Sequence, residues 1–399
     1  MAGDAAARGM LGLPEDRPLI VTGHAPHVPH PGLLAKYIAA RSLADRCGGV
    51  LVNLVIDTGT DHLARLDVPV RSKGGLLSAA SVAMADERDG VVATRAAAEV
   101  RPLAVPAAAT PEVRDALTDV WSAWTQAEGS TAAAQAGDMI ERLLSPRVGA
   151  FRSTYASTLL STPRGAQLLD AARADPQGCV DAYNAAARAS GGRVRVLDPH
   201  EMPFWAVNAA GVRRRASDAD LGGSDTLMPT ALVTTAIVRC SLADVFVHGT
   251  GGWAYDRVME PWVRDWLGWS PAPAVMVTAT LPLAGDLADA SLRAARQARH
   301  DPAGSAGVSE MKRSWLRKIE SLPRGGGARR EAFRQMHDAL KAASNPSMVR
   351  GASRAAAAAR RRDWPFLFYA CEDLDAMEAA VNAAADPRRS TAGGPCPRR

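Results

Sequence analysis

The chain has 399 residues, 47% of them apolar and 22% charged, with a formal net charge of +5. Such a chain buries a large core, as one domain with an insertion or as two domains, and its composition is that of a globular protein rather than a disordered one. Five scattered cysteines (Cys47, Cys179, Cys240, Cys371 and Cys396) form no C-x-x-C pair, no run reaches the roughly 18 apolar residues of a membrane helix, and Met1 to Arg8 does not resemble a secretory signal. A disulfide framework, a structural zinc site and a membrane span are therefore not expected, and a soluble, cytoplasmic protein is.

In chain order, Leu19 to Gly23 and Val50 to Asp57 are continuous β-branched and apolar runs, the mark of strands covered on both faces. The amphipathic run Leu33 to Ala44 between them makes a β-α-β unit, with parallel strands and a right-handed crossover. Leu66 to Val70, Leu76 to Met84 and Gly90 to Val105, with an Asp89-Gly90 turn, read as hairpin material at the sheet edge. From Pro111, behind Thr110 as N-cap, the spacing of Val113, Leu117, Val120 and Trp124 is helical. Further helices are expected over Met139 to Leu144, Tyr155 to Leu160 and Val180 to Ala189, ending at Gly191-Gly192.

Val194 to Leu197, Phe204 to Asn208 and Val212 to Ala216 then read as short strands, and Leu227 to Ser241 as a helix. Asp244 to His248 reads as a strand, Trp253 to Leu267 as a helix and Ala274 to Leu283 as a buried strand. Four helices follow, Leu287 to His300, Ser309 to Leu322, Arg329 to Ala343 and Met348 to Arg362, and Trp364 to Tyr369 is expected to return to the sheet as a strand. The tail from Asp386 to Arg399 is expected to be disordered.

These elements give an α/β protein with a parallel sheet. Residues 1–110 and 191–284 form the two halves of the core, 111–190 a helical insertion, 285–363 a basic helical arm, and 364–385 a return strand and helix. The arm carries 17 Lys and Arg against 8 Asp and Glu between Gly285 and Asp363. Aromatic residues do not interleave regularly with these charges, so a solvated face is expected and nucleic acid is not the expected partner.

Two segments unite strand, turn and helix with histidine and glycine in the turn. One is Thr22-Gly23-His24-Ala25-Pro26-His27-Val28-Pro29-His30-Pro31-Gly32, and the other is Val247-His248-Gly249-Thr250-Gly251-Gly252. In open α/β sheets ligands sit outside the carboxyl ends of strands, where helix N-termini offer free N–H groups, so both segments are expected to share one pocket. His24 and His30 are read as facing an anionic group on the helix that opens at Gly32, and as acids or bases near neutral pH. His24, His27 and His30 lie three apart on a proline-rich extended path, about 9 Å per step, too far apart to grip one metal, and His27 reads as a loop residue.

Asp57 closes a strand, with Asp61 and His62 close behind, and carboxylates at strand ends bind a ribose, an ammonium or a metal or serve as bases, although turn formation is an equal reading. The glycines at 249, 251 and 252 would let backbone approach phosphate or carboxylate, Tyr255 and Asp256 lie one turn further on, and Lys36 would neutralise a substrate acid or lie on the surface.

The string His30-Pro31-Gly32-Leu33 is similar to the H-x-G-H signature of class I nucleotidyltransferases, with leucine in place of the last histidine. A wider resemblance covers more of the chain. Thr22 to Pro26 with Pro31 to Tyr37, Asp61-His62, and Val247 to Tyr255 together resemble the Gly-His-Gln-Pro, Asp-His-Asp and Gly-Gly-Pro-x-x-x-x-Tyr segments of the bacillithiol biosynthesis cysteine-adding enzyme family. Ala25, Leu63 and His248 depart from its pattern.

The resemblance implies a Rossmann-like core with insertions, a helical arm used for homodimerisation, and a ligase-like reaction joining an amino acid to a sugar-linked or carboxylated acceptor. On that expectation His24, His30, Asp57, Asp61 and His62 carry the chemistry. Gly23, Pro26, Gly32, Lys36, His248, Gly249, Gly251, Gly252, Tyr255 and Asp256 hold a small-molecule substrate, with no metal. The cofactor stays open; were ATP the activator, the Gly32 helix start would take its phosphates. The alternatives are a nucleotidyltransferase-like enzyme and a non-catalytic nucleic-acid-binding protein that uses the basic arm.

Overall fold

The computed structural model describes residues 4–300, 306–343 and 346–385; the tail expected to be disordered lies outside them. A short helix α1 (Ala5–Met10) precedes strand β1 (Leu19–His24), helix α2 (Pro31–Cys47) and strand β2 (Val50–Val55). Strands β3 (Arg65–Arg71), β4 (Leu77–Ala83), β5 (Ala85–Asp86) and β6 (Glu99–Val100) lead to helices α3 (Pro111–Gln126) and α4 (Ala132–Val148). Strand β7 (Arg152–Tyr155), helices α5 (Pro163–Ala174) and α6 (Pro176–Ala189), and strands β8 (Glu201–Val207), β9 (Arg213–Ser217) and β10 (Thr226–Pro229) follow. Helix α7 (Ala231–Ile237), strand β11 (Val245–His248), helix α8 (Thr250–Leu267) and strand β12 (Ala274–Met276) complete the core. Helices α9 (Asp286–His300), α10 (Ala306–Glu320), α11 (Gly327–Ala342), α12 (Pro346–Ala359) and α13 (Cys371–Ala384) end the described chain.

Five strands form one parallel sheet in the order β12-β11-β1-β2-β7. The chain moves outward from β1 through β2 to β7, then returns to the other side of β1 with β11 and β12. This is a Rossmann-like α/β core, and the strand order reverses between β1 and β11. Alternating side chains of the central strands feed two cores. Ile20 and Leu51 pack with α2, α3 and α4 on one face, while Leu19, Val21, Val52 and Leu54 pack with α6, α7 and α8 on the other. Burial on both faces is why these strands are continuous apolar runs in the sequence.

The base of the sheet is stapled from a distance. Asp244 Oδ2 accepts from Arg8 Nη2 at 2.7 Å and from the Leu19 amide at 2.8 Å, tying α1, β1 and the start of β11 together.

Several expected elements differ. Arg152–Tyr155, inside the expected helical insertion, is an edge strand of the main sheet; its four residues carry no apolar run to announce it. The expected helix over Tyr155 to Leu160 is a 3₁₀ turn, Ala156–Ser161. Residues 65–83 do form a hairpin, but it is a separate two-stranded sheet rather than an edge of the main one, and between Gly90 and Val105 only one 3₁₀ turn and the two-residue β6 form.

Of the expected second half of the core, only β11 and β12 join the main sheet, while β8, β9 and β10 make their own antiparallel sheet. Val194 to Leu197 is no strand, because the Asn184 side chain satisfies both the amide and the carbonyl of Leu197. The expected helix from Leu227 begins as β10, and α7 runs on into a π turn at Val238–Leu242. The strand at Ala274 stops at Met276, where the chain leaves to cross the N-terminus of α2. Trp364 to Tyr369 is no strand either. Its apolar side chains plug the core beside α2 and α3, its Phe366 amide donates to the Pro29 carbonyl, and the local form is a 3₁₀ turn.

The arm forms four helices close to the expected bounds. α9 and α12 pack together on β4, while α10 and α11 close a small core of their own around Ile319, Ala332, Met336 and Leu340. Among the described residues, no helix is long and apolar enough to cross a membrane.

The close approach of β1 and β2 leaves no room for a side chain at Gly23, where an added Cβ would stand 2.1 Å from the Leu54 carbonyl oxygen. Gly23→Ala is expected to cost about 3 kcal/mol of stability in urea unfolding. An unchanged midpoint would contradict this packing.

Candidate functional site

The strand reversal opens a cleft of about 300 Å³ at the carboxyl end of the sheet, between β1 and β11. Its walls carry Gly23 and His24 from the end of β1, His30, Gly32 and Lys36 from the start of α2, and His248, Gly249, Gly251 and Gly252 from the β11–α8 junction. The two histidine–glycine segments therefore share one cavity. The sequence reading missed the contributions of Leu33, Thr250, Thr278 and Arg362. Arg362 follows the last helix of the arm, and its Nη2 donates to Thr278 Oγ1 at 3.1 Å. No spacing in the sequence signals that return.

Lys36 is the least expected wall. It is 4% exposed, its Nζ donates to the Gly23 carbonyl at 2.7 Å, and burial pulls its pKa down to about 8. Among the described residues no carboxylate lies within 4 Å of it, and no acidic residue lines the cleft. The lysine stem runs beside Gly249, where an added Cβ would stand 3.4 Å from Cδ.

Gly249 is the N-cap of α8, and no side chain caps that helix. The helix begins at Thr250, three residues before its expected start, so Gly251 and Gly252 are its first turn rather than a loop. Amides of a first turn have no partner within their helix and sit at the positive end of its dipole. A buried ammonium beside an uncapped helix start could accommodate an anion.

Helix α2 is different. Pro31 occupies its first turn, His30 Nδ1 accepts from the Gly32 amide at 3.1 Å, and the Ala279 carbonyl would lie 2.8 Å from a Cβ at Gly32. Its N-terminus is thus capped by an imidazole and covered by a carbonyl dipole. The helix start expected to take phosphates at Gly32 is thus covered by the protein itself, while the start of α8 has no side-chain cap.

His24 Nε2 is buried without a hydrogen-bond partner, and the ring stands edge-on to Tyr37 with centroids 5.8 Å apart. Burial, reinforced by the charge of Lys36, pulls the His24 pKa down to about 3. It is a neutral imidazole across the physiological range, which corrects its expected titration near neutral pH. Burial and then Arg362 also lower the pKa of His30.

His248 is 5% exposed, and its Nε2 lies 2.8 Å from Asp256 Oδ2. Arg239 Nη1 approaches the same oxygen at 3.1 Å. These are close contacts without hydrogen-bond alignment, since neither Asp256 oxygen meets that geometry. Nδ1 points at Gly252, where a Cβ would stand 2.2 Å away. Only glycine fits beside that ring.

The other expected site residues are elsewhere. Asp57 is buried and spent on the 3₁₀ turn, with Oδ1 accepting from the Ser157 amide at 2.9 Å and Oδ2 from Ser157 Oγ at 2.6 Å. Asp61 and His62 line a separate depression with His27, where Asp61 is exposed and 3.9 Å from His27 Nε2, and His62 is 3.8 Å from Glu87. Pro26 is buried and Tyr255 exposed, and neither lines the cleft. Among the described residues, no group of three or more His, Cys, Asp or Glu is arranged to hold a metal ion.

Comparison with protein-family models and with curated proteins gives no match for this chain. The resemblance described above therefore rests on its motif residues alone.

A lysine with a pKa of about 8 when folded, against an ordinary value of 10.5, opposes folding while both states are charged. The folded state releases its proton first, so stability rises as pH climbs from about 8 to 10.5. Lys36→Met is expected to gain up to about 3 kcal/mol at pH 7 in urea unfolding and to lose that rise. A wild-type-minus-variant difference that stays flat between neutral pH and pH 10 would contradict a buried, charged Lys36.

Proposed function

We propose that the protein is an enzyme that binds the phosphate or carboxylate of a small-molecule substrate between β1 and β11 and uses His248 as its acid–base group. The observation that carries this reading is Lys36. A buried cation without a carboxylate partner, beside an uncapped helix start, costs stability and is matched by an anion brought from outside.

With the anion held by Lys36 and the first amides of α8, the neighbouring part of the substrate lies against His248 Nδ1. Asp256 stabilises the imidazolium formed when Nδ1 takes a proton, and Arg239 holds Asp256. Neutral His24 offers hydrogen bonding without adding a second charge. His30 and Arg362 complete the rim.

In the form that the family resemblance suggests, the anion is the acid group of a carboxylated or sugar-linked acceptor. The proton reaching His248 would then be the one lost from an amine as it attacks a carboxyl carbon activated as an acyl phosphate, the carbon–oxygen bond breaking and phosphate leaving as the carbon–nitrogen bond forms. ATP phosphates would use the same amides at α8. Asp57, Asp61 and His62 have no part in this reading.

The test is thermal-shift screening of the wild type, Lys36→Met and His248→Gln against inorganic phosphate, ATP, malate, sugar malates and amino acids. An anionic ligand at ~100 times its Kd adds about 2.7 kcal/mol to the folded state. Lys36→Met is expected to lose that response and His248→Gln to keep it. No response across the panel, or an equal response in Lys36→Met, would refute the proposal.

A further inference from the structure

The cleft leaves the distal hairpin of the arm without a role. Residues 306–343 hold nine Lys and Arg against four Asp and Glu. On α11 these charges are segregated. At 100° per residue, Arg330, Arg334, His337 and Lys341 fall within about 60° of one another and span about 16 Å of helix. All four are exposed. Both acids of the helix, Glu331 and Asp338, lie to one side of the stripe, and only Arg334 reaches one of them, in an exposed pair with Glu331. Exposed pairs of this kind contribute little.

The opposite face of α11, with Ala332, Met336 and Leu340, is consumed by packing on α10. The stripe is therefore turned away from the protein. On its other flank stands Phe333, an apolar ring 39% exposed, with the Arg329 guanidinium 6.0 Å over it. The expectation against nucleic acid rested on a lack of aromatics among the arm's charges, and here a ring stands beside them.

We propose that the exposed face of α11 binds single-stranded nucleic acid, with Arg330, Arg334 and Lys341 along the phosphates and Phe333 beneath a base. A strand presents one phosphate per ~3.4 Å of axis, so a ~16 Å row of cations answers a run of phosphates and not a single small anion. An exposed ring beside such a row is what distinguishes a polynucleotide from an acidic peptide, because every base offers a face to stack. The face is independent of the cleft.

The test is fluorescence anisotropy of a labelled oligouridylate with the full chain over a salt series. Wild type is expected to bind saturably, with log affinity falling linearly against log salt. The triple variant Arg330→Ala, Arg334→Ala and Lys341→Ala is expected to weaken binding by about tenfold or more and to reduce the salt slope by about two, at about 0.7 per phosphate contact. Phe333→Ala is expected to weaken binding by about tenfold with the slope retained.

Substitution of the same three cations by lysine or arginine, whichever is absent, should restore the slope. Lys36→Met should bind as wild type does. Four outcomes overturn the proposal: no saturable binding, an unchanged slope in the triple variant, loss of binding in Lys36→Met, or competition by polyglutamate at equal affinity with no effect of Phe333→Ala.

Discussion

The pairing of β1 with β11 is the contact on which the molecule depends. These strands are more than 200 residues apart in the chain, yet they run parallel with Ile20 opposite Val245, Val21 opposite Phe246 and Thr22 opposite Val247. Thr22 Oγ1 donates to the Val247 carbonyl at 2.9 Å inside the sheet, and Asp244 fixes the base of both strands. This register sets the end of β1 beside His248 and puts the α2 lysine against the first turn of α8. Break the pairing, and the cleft has one wall.

The cleft is costly by design of its charges. A buried ammonium, a neutral histidine with an unpaired nitrogen and a misaligned His–Asp–Arg cluster each raise the energy of the empty protein. Two buried side chains elsewhere in the chain are fully engaged. Asp57 is held by Ser157 and Asn184 by Leu197, with close hydrogen bonds. Those hydrogen bonds make Asp57 a residue that holds the fold rather than one that faces the cleft.

Parts of this were legible along the chain. Two-sided burial of β1 and β2 writes itself as unbroken apolar runs, Thr110 and Pro111 mark the start of α3, and the helices of the arm fall close to their expected bounds. The illegible parts share a cause, which is that their partners are remote. The strand at Arg152 is defined by hydrogen bonds to β2 and not by its own residues. The apolar run at Trp364 fills a gap between helices, and apolar filling has no period. Gly249 to Gly252 reads as a loop because glycine disfavours helix interiors, whereas the ring of His248 leaves no space for a side chain at Gly252.

By itself the sequence determined that the chain alternates helices with buried strands, that two histidine–glycine turns follow two such strands, and that positive charge gathers in one helical segment. These are consequences of local periodicity, turn chemistry and composition. Only the tertiary structure decided which side chains are charged, capped or spent. The burial that lowers Lys36, the Ala279 carbonyl that covers α2 and the return of Arg362 to the cleft come from residues far away in the chain, and the turn into α8 brings the Asp256 carboxylate behind His248. Desolvation and charge are properties of the space around a group, and that space exists only once the strands have paired.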